Sequence, residues 1–367
     1  MHGDAMGPGR TLEDKAWKVL RDFESTERVK TAYLGFHGRQ AGTGQAREIA
    51  SPFSHGRSYF ESAANADPAI RPLLLYYGVM NLSRGLVLML SRGIRESALK
   101  ASHGLTCEDW AKELRRDSPD FHCLKVKALQ NGAFIELSES TARCTMLRNN
   151  SSLVNMVSRE RGSVKGHAYC VGDLLARLPQ LERSNIAWRN TSLCSLWSHT
   201  SSDDKKRMTV SIPRTHRPFV DRAYCDALFK GTSYSFIGEN PKDFFYEGPN
   251  DTGQFPGFTD MTDTLSIGRL WLVARYPDDV WLSRVETLFS ISYALGMLVR
   301  YFPAQWTALL KGHIPDAALP TIIEAIDLVS WLYPVAVSDF LSNHATLASA
   351  KEKTPTTGGT GYVYAEQ

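Results

Sequence analysis

The chain has 367 residues, of which 43% are hydrophobic and 22% are charged, and its formal net charge is +3. This is the composition of an ordinary globular protein with enough apolar surface for a sizeable core in one large domain or two modest ones. The net charge is too small to indicate nucleic-acid binding by itself. Such a function would need local clusters of basic residues.

The cysteines are widely spread, with no C-x-x-C pair and no Cys/His cluster at zinc spacing. They are Cys107, Cys123, Cys144, Cys170, Cys194 and Cys225. We therefore predict reduced thiols, no metal site and no cofactor, as in a cytoplasmic protein. The N-terminal segment lacks the apolar core of a signal peptide.

The N-terminal third predicts helices. Thr11 can cap a helix that continues to about Tyr33, and the Gly- and Gln-rich stretch Gly38–Gln45 predicts a loop. A short helix is expected over Ser58–Ala66. The run Arg71–Leu105 then predicts one long, almost wholly apolar helix.

The apolar part of that long helix, Pro72–Leu90, is long enough to cross a membrane, but Asn81 and Arg84 lie at its centre. An arginine at the bilayer centre costs about 2.5–3.5 kcal/mol on insertion scales. Thr287–Val299 is also apolar but too short to span. Both segments therefore predict core helices of a soluble protein, with no membrane partner.

The middle of the chain predicts mainly strands. Leu124–Leu137 alternates around Asn131-Gly132, which is typical of a β-hairpin. Strand-like runs, including RAYCDALFKG, recur between Arg207 and Tyr276, while Val171–Leu178 predicts a short amphipathic helix.

Helices return at Pro277, with one predicted to about Tyr301 and two more over Ala317–Trp331 and Val335–Leu347. The Thr/Gly-rich tail that follows is predicted to be disordered and could dock on a protein partner. The predicted organisation is an N-terminal helical part at residues 1–120, a β-rich region at 121–276, C-terminal helices at 277–350 and a tail at 351–367. The fold class is α+β and mainly helical.

Five segments resemble, in the same order, blocks of the YaaC-like family, a group of bacterial proteins. They are PLLLYYGVMNLSRGLVLML, SHGLT, LKVKALQNGAF, VGDLLARLP and ETLFSISYALGMLVRYFPAQWTALL. Where the family continues with a basic run after the His-Gly pair, this chain has Thr106-Cys107-Glu108-Asp109, which weakens the expectation of an anionic partner at that loop.

Ser58–Leu105 also resembles the central helices of HEPN domains, which are helical bundles common in toxin–antitoxin and anti-phage systems. The resemblance implies a HEPN-like helical core, formed by the N- and C-terminal helices with a β-rich insertion between them. Several such domains are ribonucleases with an arginine followed by four to six residues and a histidine. In the late helix of this chain Trp306 stands where that histidine would follow Arg300, and the match from Arg161 to His167 lies in a loop.

Three polar residues near the long helix are candidate ligand-binding residues. Arg84 could hold a carboxylate, a phosphate or a nucleotide, or could form a structural ion pair. Asn81 lies three positions earlier and can share its face. His103 suits acid–base chemistry or a helix cap, and together with Arg84 it is a candidate catalytic residue.

Two further groups are weaker candidates. Arg300 could bind an anion and Trp306 could stack on a base, although both could equally be structural. The sequence RTHRP places Arg214, His216 and Arg217 in one loop as a local anion patch.

The sequence contains no P-loop, dinucleotide-binding, zincin or α/β-hydrolase motif. We expect a bacterial protein that binds a nucleotide, an RNA or a protein partner in a stress or anti-phage setting. A divergent ribonuclease or nucleotide-acting enzyme is the first alternative, and a homo-oligomeric scaffold is the second. Convergence of Arg84, His103 and Arg300 in one open cleft would favour the enzyme.

Overall fold

A computed structural model describes residues 8–142, 145–149, 152–156, 163–202, 207–214, 220–230, 234–249, 270–277 and 280–351. These residues confirm a mainly helical α+β fold with small antiparallel sheets. They divide into two compact units, each described separately below. The first comprises the described residues within Met1–Thr141, Val164–Leu174 and Val285–Ala365, and the second those within Ala142–Ser163 and Leu175–Arg284.

The helices of the described residues, in chain order, are α1 (Pro8–Asp22), α2 (Thr26–His37), α3 (Thr43–Ala64), α4 (Arg71–Leu90), α5 (Trp110–Glu113), α6 (Ala133–Thr141), α7 (Val171–Ala176), α8 (Glu182–Arg189), α9 (Arg222–Phe229), α10 (Arg284–Tyr301), α11 (Pro303–Leu310) and α12 (Leu319–Lys351). The strands are β1 (Leu105–Glu108), β2 (Lys125–Ala128), β3 (Thr145–Asn149), β4 (Ser152–Met156), β5 (Ala168–Cys170), β6 (Cys194–Ser202), β7 (Arg207–Pro213), β8 (Ser235–Glu239), β9 (Asp243–Pro249) and β10 (Leu270–Val273).

Helices α3 and α4 pack closely in the core of the first unit. A Cβ added to Gly56 would lie 2.7 Å from the Leu82 side chain, and one added to Gly85 would lie 2.8 Å from the Phe53 ring. Because these positions carry no side chain, the two backbones can approach each other across a buried interface. The sheet β1-β2-β5 belongs to the same unit and is antiparallel throughout.

The predicted long helix is shorter than the sequence suggested. Helix α4 ends at Leu90, whereas the prediction extended it through Leu105. Gly93 adopts a left-handed φ of 79°, and its N–H donates to the buried Tyr33 hydroxyl at 2.7 Å. This turn redirects the chain and leaves the segment before β1 irregular apart from a short 3₁₀ turn.

Other boundaries in the N-terminal third also differ. The first predicted helix is two helices, because Ser25 caps the start of α2 by accepting from the Arg28 N–H at 3.5 Å. Helix α3 begins at Thr43, inside the predicted loop, and continues through Pro52. Its buried face outweighs the unfavourable local propensity of proline and glycine.

The predicted hairpin around Asn131-Gly132 is wrong. Strand β2 ends at Ala128 and helix α6 begins at Ala133, with Gly132 at a φ of 111°. The first N–H groups of α6 donate to carbonyls of the preceding loop, at 3.0 Å from Ala133 to Ser102 and at 3.0 Å from Phe134 to His103. These tertiary hydrogen bonds replace the strand pairing that the local pattern predicted.

The strand predicted for RAYCDALFKG is also wrong, because this segment forms α9. The Asp221 carboxylate caps the helix by accepting from the Tyr224 N–H at 2.8 Å. Cys225, Leu228 and Phe229 are buried at the spacing of a helix, which has a period of about 3.6 residues. In so short an apolar run, sequence periodicity does not distinguish a helix from a strand.

The two predicted C-terminal helices are one helix, α12, which continues through Pro334. Tyr333 and Val335 on either side of this proline are fully buried, so packing compensates the roughly 3 kcal/mol that an interior proline costs. The predicted disordered tail beyond Lys351 lies outside the described residues.

Within the part of the chain that the structure describes, two helices are long and apolar enough to cross a membrane, Arg71–Leu90 and Leu319–Ser342. However, 61% and 72% of their apolar windows are buried within the protein. Burial of this extent is typical of the core helices of a soluble protein, as predicted for the first of them.

The second unit contains an antiparallel sheet of order β10-β6-β7-β9-β8 and the hairpin β3–β4. Helix α9 shares a buried cluster with strands β7 and β9, in which the Phe229 ring stacks on the Tyr246 ring at 4.3 Å. Strand β7 supplies Met208, Val210 and Ile212 to this cluster, alternating as a half-buried strand requires.

Candidate functional site

The loop that carries His103 is held in place by backbone hydrogen bonds. The His103 carbonyl accepts from the Phe134 N–H at 3.0 Å, and the Gly104 carbonyl accepts from the Leu129 N–H at 2.9 Å. Gly104 has a φ of 77°, and a Cβ at this position would lie 2.8 Å from the Phe134 nitrogen. The His103 backbone therefore has one defined position in the first unit.

The His103 ring is oriented by Tyr76. The Tyr76 hydroxyl lies 2.5 Å from His103 Nδ1, and the Tyr76 side chain is fully buried in α4. Burial raises the pKa of Tyr76, so the phenol keeps its proton and donates it to Nδ1. Burial and the nearby Arg300 charge lower the pKa of His103. The imidazole is therefore neutral at pH 7, with its proton on Nε2, which has no hydrogen-bond partner among the residues that the structure describes.

Tyr293 of α10 is the second buried tyrosine beside His103, and together with Tyr76 it forms the buried wall of this site. Its hydroxyl donates to the Leu105 carbonyl at 3.1 Å, and its ring centroid lies 5.6 Å from that of Tyr76 and 5.8 Å from that of His103. Cys107 lies 4.0 Å from the same hydroxyl. Burial raises the pKa of Cys107 to about 11, so this thiol is protonated and is not an activated nucleophile.

Arg300, at the end of α10, lies beside this wall and is exposed to solvent. Its Nη1 lies 3.4 Å from the Tyr77 hydroxyl, and its guanidinium carbon lies 5.0 Å from the centre of the Tyr301 ring. The Tyr77 ring also contacts the Tyr59 ring, with the centroids 5.6 Å apart. No carboxylate among the described residues pairs with Arg300.

Arg84 lies on the same face of α4 as Tyr77, two turns further along, which is a rise of about 10 Å. It is half-buried, and no described residue forms a hydrogen bond or an ion pair with it. Asn81 lies between them on this face, and its side-chain amide donates to the Tyr77 carbonyl at 2.8 Å. The structural ion pair considered for Arg84 is therefore not present among the described residues.

The structure thus gathers four of the predicted residues on one side of the first unit. We call Asn81, Arg84, His103 and Arg300, together with Tyr77, the cationic face. His103 and Arg300 are close enough to interact electrostatically, whereas Arg84 lies further along α4.

The remaining candidates lie elsewhere. Trp306 is fully buried, and its indole N–H donates to the Ala69 carbonyl at 3.1 Å, so its ring cannot stack on a ligand. In the second unit the Arg214 guanidinium contacts the Asn240 carbonyl at 3.0 Å, the Glu239 carboxylate at 3.5 Å and the Phe244 ring. Its charge is already compensated. His216 and Arg217, the rest of that patch, lie outside the described residues.

Sequence reasoning did not identify the tyrosines of the site. The adjacent pair Tyr76-Tyr77 is a usable signal, because consecutive residues of a helix point in directions about 100° apart. One tyrosine can then face the core and orient His103 while the other reaches the surface. No comparable local signal exists for Tyr293, which approaches only through the packing of α10.

These observations define a mainly helical α+β protein with a cationic, aromatic face and no recognisable catalytic motif. The chain belongs to the YaaC-like protein family, whose family model matches residues 22–341 and confirms the resemblance of its ordered segments. No curated protein and no solved structure matches the chain significantly. The HEPN-like character of the helical core therefore stays a prediction.

Proposed function

We propose that the cationic face binds a ligand with phosphate groups, either a nucleotide or a short RNA, and that the protein acts as a binding component in the bacterial cytoplasm. The observation that carries the proposal is that two guanidinium groups, Arg84 and Arg300, have no carboxylate partner among the described residues and lie on the face that also contains His103. Most arginines of a folded protein gain from pairing, and planar guanidinium groups match phosphate oxygens well.

The groups around the arginines suit the same ligand. The Nε2–H of neutral His103 is a hydrogen-bond donor at the site. Tyr301 is 59% exposed, so its ring is accessible for stacking on a base. Phosphate contacts from the arginines and stacking on a tyrosine ring are typical of a site that binds a nucleotide or single-stranded RNA, and not of a protein that binds a double helix.

The cellular setting is part of the proposal. The five cysteines among the described residues are not joined in disulfides, which suits a reducing compartment. The resemblance to HEPN domains supports a stress or anti-phage role. A homo-oligomeric scaffold whose C-terminal tail engages a protein partner is the weaker alternative, because no described feature supports it.

A ribonuclease is the stronger alternative, because a neutral histidine close to an arginine can act as a general base. Binding is preferred because Nδ1 is already occupied by the Tyr76 hydroxyl, and the described residues place no carboxylate or second histidine beside it. The two functions differ in whether the RNA remains intact.

The proposal predicts that Arg300→Ala and Arg84→Ala each weaken binding of a fluorescently labelled 12-nucleotide RNA or of ATP by about ten-fold, which is about 1.4 kcal/mol. For the RNA, each substitution should also reduce the salt slope of log K by about 0.7, because one phosphate contact is lost. Fluorescence anisotropy at several salt concentrations measures both quantities. Arg183→Ala, which removes an exposed arginine of α8 in the second unit, is the matched control.

Equal affinities of wild type, Arg84→Ala and Arg300→Ala for both probes would refute the proposed site. The same RNA, analysed on a gel after incubation, tests the alternative. Cleavage by the wild type that His103→Ala abolishes would replace the binding function by the ribonuclease.

A further inference from the structure

A second cluster of reactive side chains lies in the first unit, outside the cationic face. Asp120, His122 and Cys123 belong to a 3₁₀ turn immediately before β2, and one potential ligand atom from each lies within 4.8 Å of the others. Cys123 Sγ lies 3.2 Å from Asp120 Oδ2 and 3.8 Å from His122 Nδ1. Cys123 is exposed, and the other two residues are half-buried.

The backbone of the turn holds these side chains in place. The Asp120 Oδ1 atom accepts from the His122 N–H at 3.0 Å, so the other carboxylate oxygen faces the thiol. The Glu113 carboxylate accepts from the Asp120 N–H at 3.0 Å. The buried Phe121 side chain fixes the turn between them. The cluster is therefore organised before any ligand arrives.

The His122 ring is positioned from the opposite side by the start of α7. A Cβ added to Gly172 would lie 1.9 Å from His122 Cδ2, so the ring occupies space that only glycine leaves open. The Asp173 carboxylate lies 3.5 Å from His122 Nε2. One ring nitrogen therefore faces the thiol and the other faces a carboxylate, the arrangement of metal-binding histidines.

The separations fit a tetrahedral metal ion. With a zinc–sulfur bond of about 2.3 Å and zinc–nitrogen or zinc–oxygen bonds of about 2.0–2.2 Å, tetrahedral geometry places the sulfur roughly 3.5–3.7 Å from each of the other two ligand atoms. The observed distances of 3.2 Å to the carboxylate oxygen and 3.8 Å to the imidazole nitrogen lie within about 0.3 Å of this range. Thiolate, imidazole and carboxylate are together the ligand set of Zn²⁺ rather than of Ca²⁺ or Mg²⁺.

A divalent cation at the centre of the cluster would stabilise the thiolate and the carboxylate together, because its charge lies close to both. On binding, the S–H bond breaks, the proton passes to water and the sulfur–metal bond forms, with no change of oxidation state.

We propose that Asp120, His122 and Cys123 bind one Zn²⁺ ion, with Asp173 orienting His122 and the fourth coordination position open to water. This site is separate from the cationic face and does not depend on the proposed function. Three protein ligands with one open position are the arrangement of reactive rather than purely structural zinc sites.

The test uses the full chain, stripped with a chelator, reduced with a phosphine and titrated with Co²⁺ and then Zn²⁺. We expect one Co²⁺ per chain, with a thiolate-to-cobalt charge-transfer band and tetrahedral d–d bands that Zn²⁺ abolishes. Cys123→Ser should lose the charge-transfer band. Cys107→Ser, which removes a thiol outside the cluster, should keep it, and circular dichroism confirms that both variants fold.

Asp173→Asn tests the positioning role of the outer carboxylate. The charge-transfer band should persist, while the affinity for the metal falls by about 10–100-fold. The absence of a charge-transfer band in the wild type would overturn the proposal. So would a band that Cys123→Ser retains or that Cys107→Ser also loses.

Discussion

His103 and His122 lie in the same unit, both half-buried and both with Nδ1 beside a specific side-chain partner, yet their surroundings are opposite in character. His103 is bordered by tyrosines and by the Arg300 guanidinium. His122 is bordered by a thiol and by the Asp120 and Asp173 carboxylates. The first environment favours a neutral ring that donates to an anion, and the second favours a ring that binds a cation.

The difference shows that the function of a histidine is determined by the charges that the fold brings to it. A similar contrast holds for the arginines. Arg214 in the second unit is compensated by a carboxylate, a carbonyl and a ring, whereas no described carboxylate pairs with Arg84 or Arg300. An arginine left uncompensated on a surface is the better candidate for ligand binding.

The largest expected effect concerns how the His122 ring is held. Gly172→Ala should destabilise the protein by about 1–3 kcal/mol, because a methyl group would overlap the ring and the core must shift. The displaced ring should also bind Co²⁺ more weakly. Urea unfolding and the cobalt titration measure the two effects.

Gly35→Ala provides the control for that substitution. A Cβ at Gly35, in α2, would meet no atom within 4 Å apart from its own stretch of helix, so alanine should stabilise the protein by about 0.4–1 kcal/mol. Unchanged stability and unchanged cobalt affinity in Gly172→Ala would contradict the close approach at His122.

The next effect concerns the bond that orients His103. Tyr76→Phe should reduce stability by about 1 kcal/mol, because a buried hydrogen bond is lost. It should also raise the pKa of His103, because the hydroxyl donates only to the neutral ring. Unfolding experiments and NMR titration of the ring protons measure these changes.

Tyr333→Phe is the matched control, since the Tyr333 hydroxyl is equally buried and bonds to Ser83 at 2.6 Å. It should cost a similar free energy but leave the His103 titration unchanged. If both variants shifted His103 equally, the specific role of Tyr76 would be lost.

The sequence was sufficient for the features that local patterns encode. The apolar run of α4 predicted a core helix, and most of this helix is buried in the structure. The five segments that match blocks of the YaaC-like family in the same order predicted the family. These inferences succeeded because helix periodicity and segment order depend on nearby residues.

Features that depend on tertiary contacts were not predictable. Asn131-Gly132 signals a hairpin locally, but carbonyls of Ser102 and His103 instead receive the first N–H groups of α6. The spacing of the cysteines predicted no metal site. However, the segment Asp120-Phe121-His122-Cys123 places three possible metal ligands within four consecutive residues. The outer partner Asp173 is 51 residues from His122 in the sequence and becomes adjacent to it only when β5 pairs with β2.

The smallest expected effect tests the charge environment of His103 directly. Because the folded pKa of His103 is lowered, the unfolded chain binds more protons between the two pKa values, and stability rises with pH there. The contribution is complete above the unfolded value of about 6.5 and is lost as pH falls toward the folded value. Arg300→Ala should raise the folded pKa and so reduce this loss. Urea unfolding between about pH 5 and 7.5 measures the slope.

His37 must be separated from this effect, because burial also lowers its pKa. In a His37→Gln background the remaining pH dependence should still decrease when Arg300 is replaced by alanine. It should not decrease when Arg183, in the second unit, is replaced. An equal slope with and without Arg300 would mean that solvent screens its charge from His103, and the contrast between the two histidines would then depend on burial and hydrogen bonding alone.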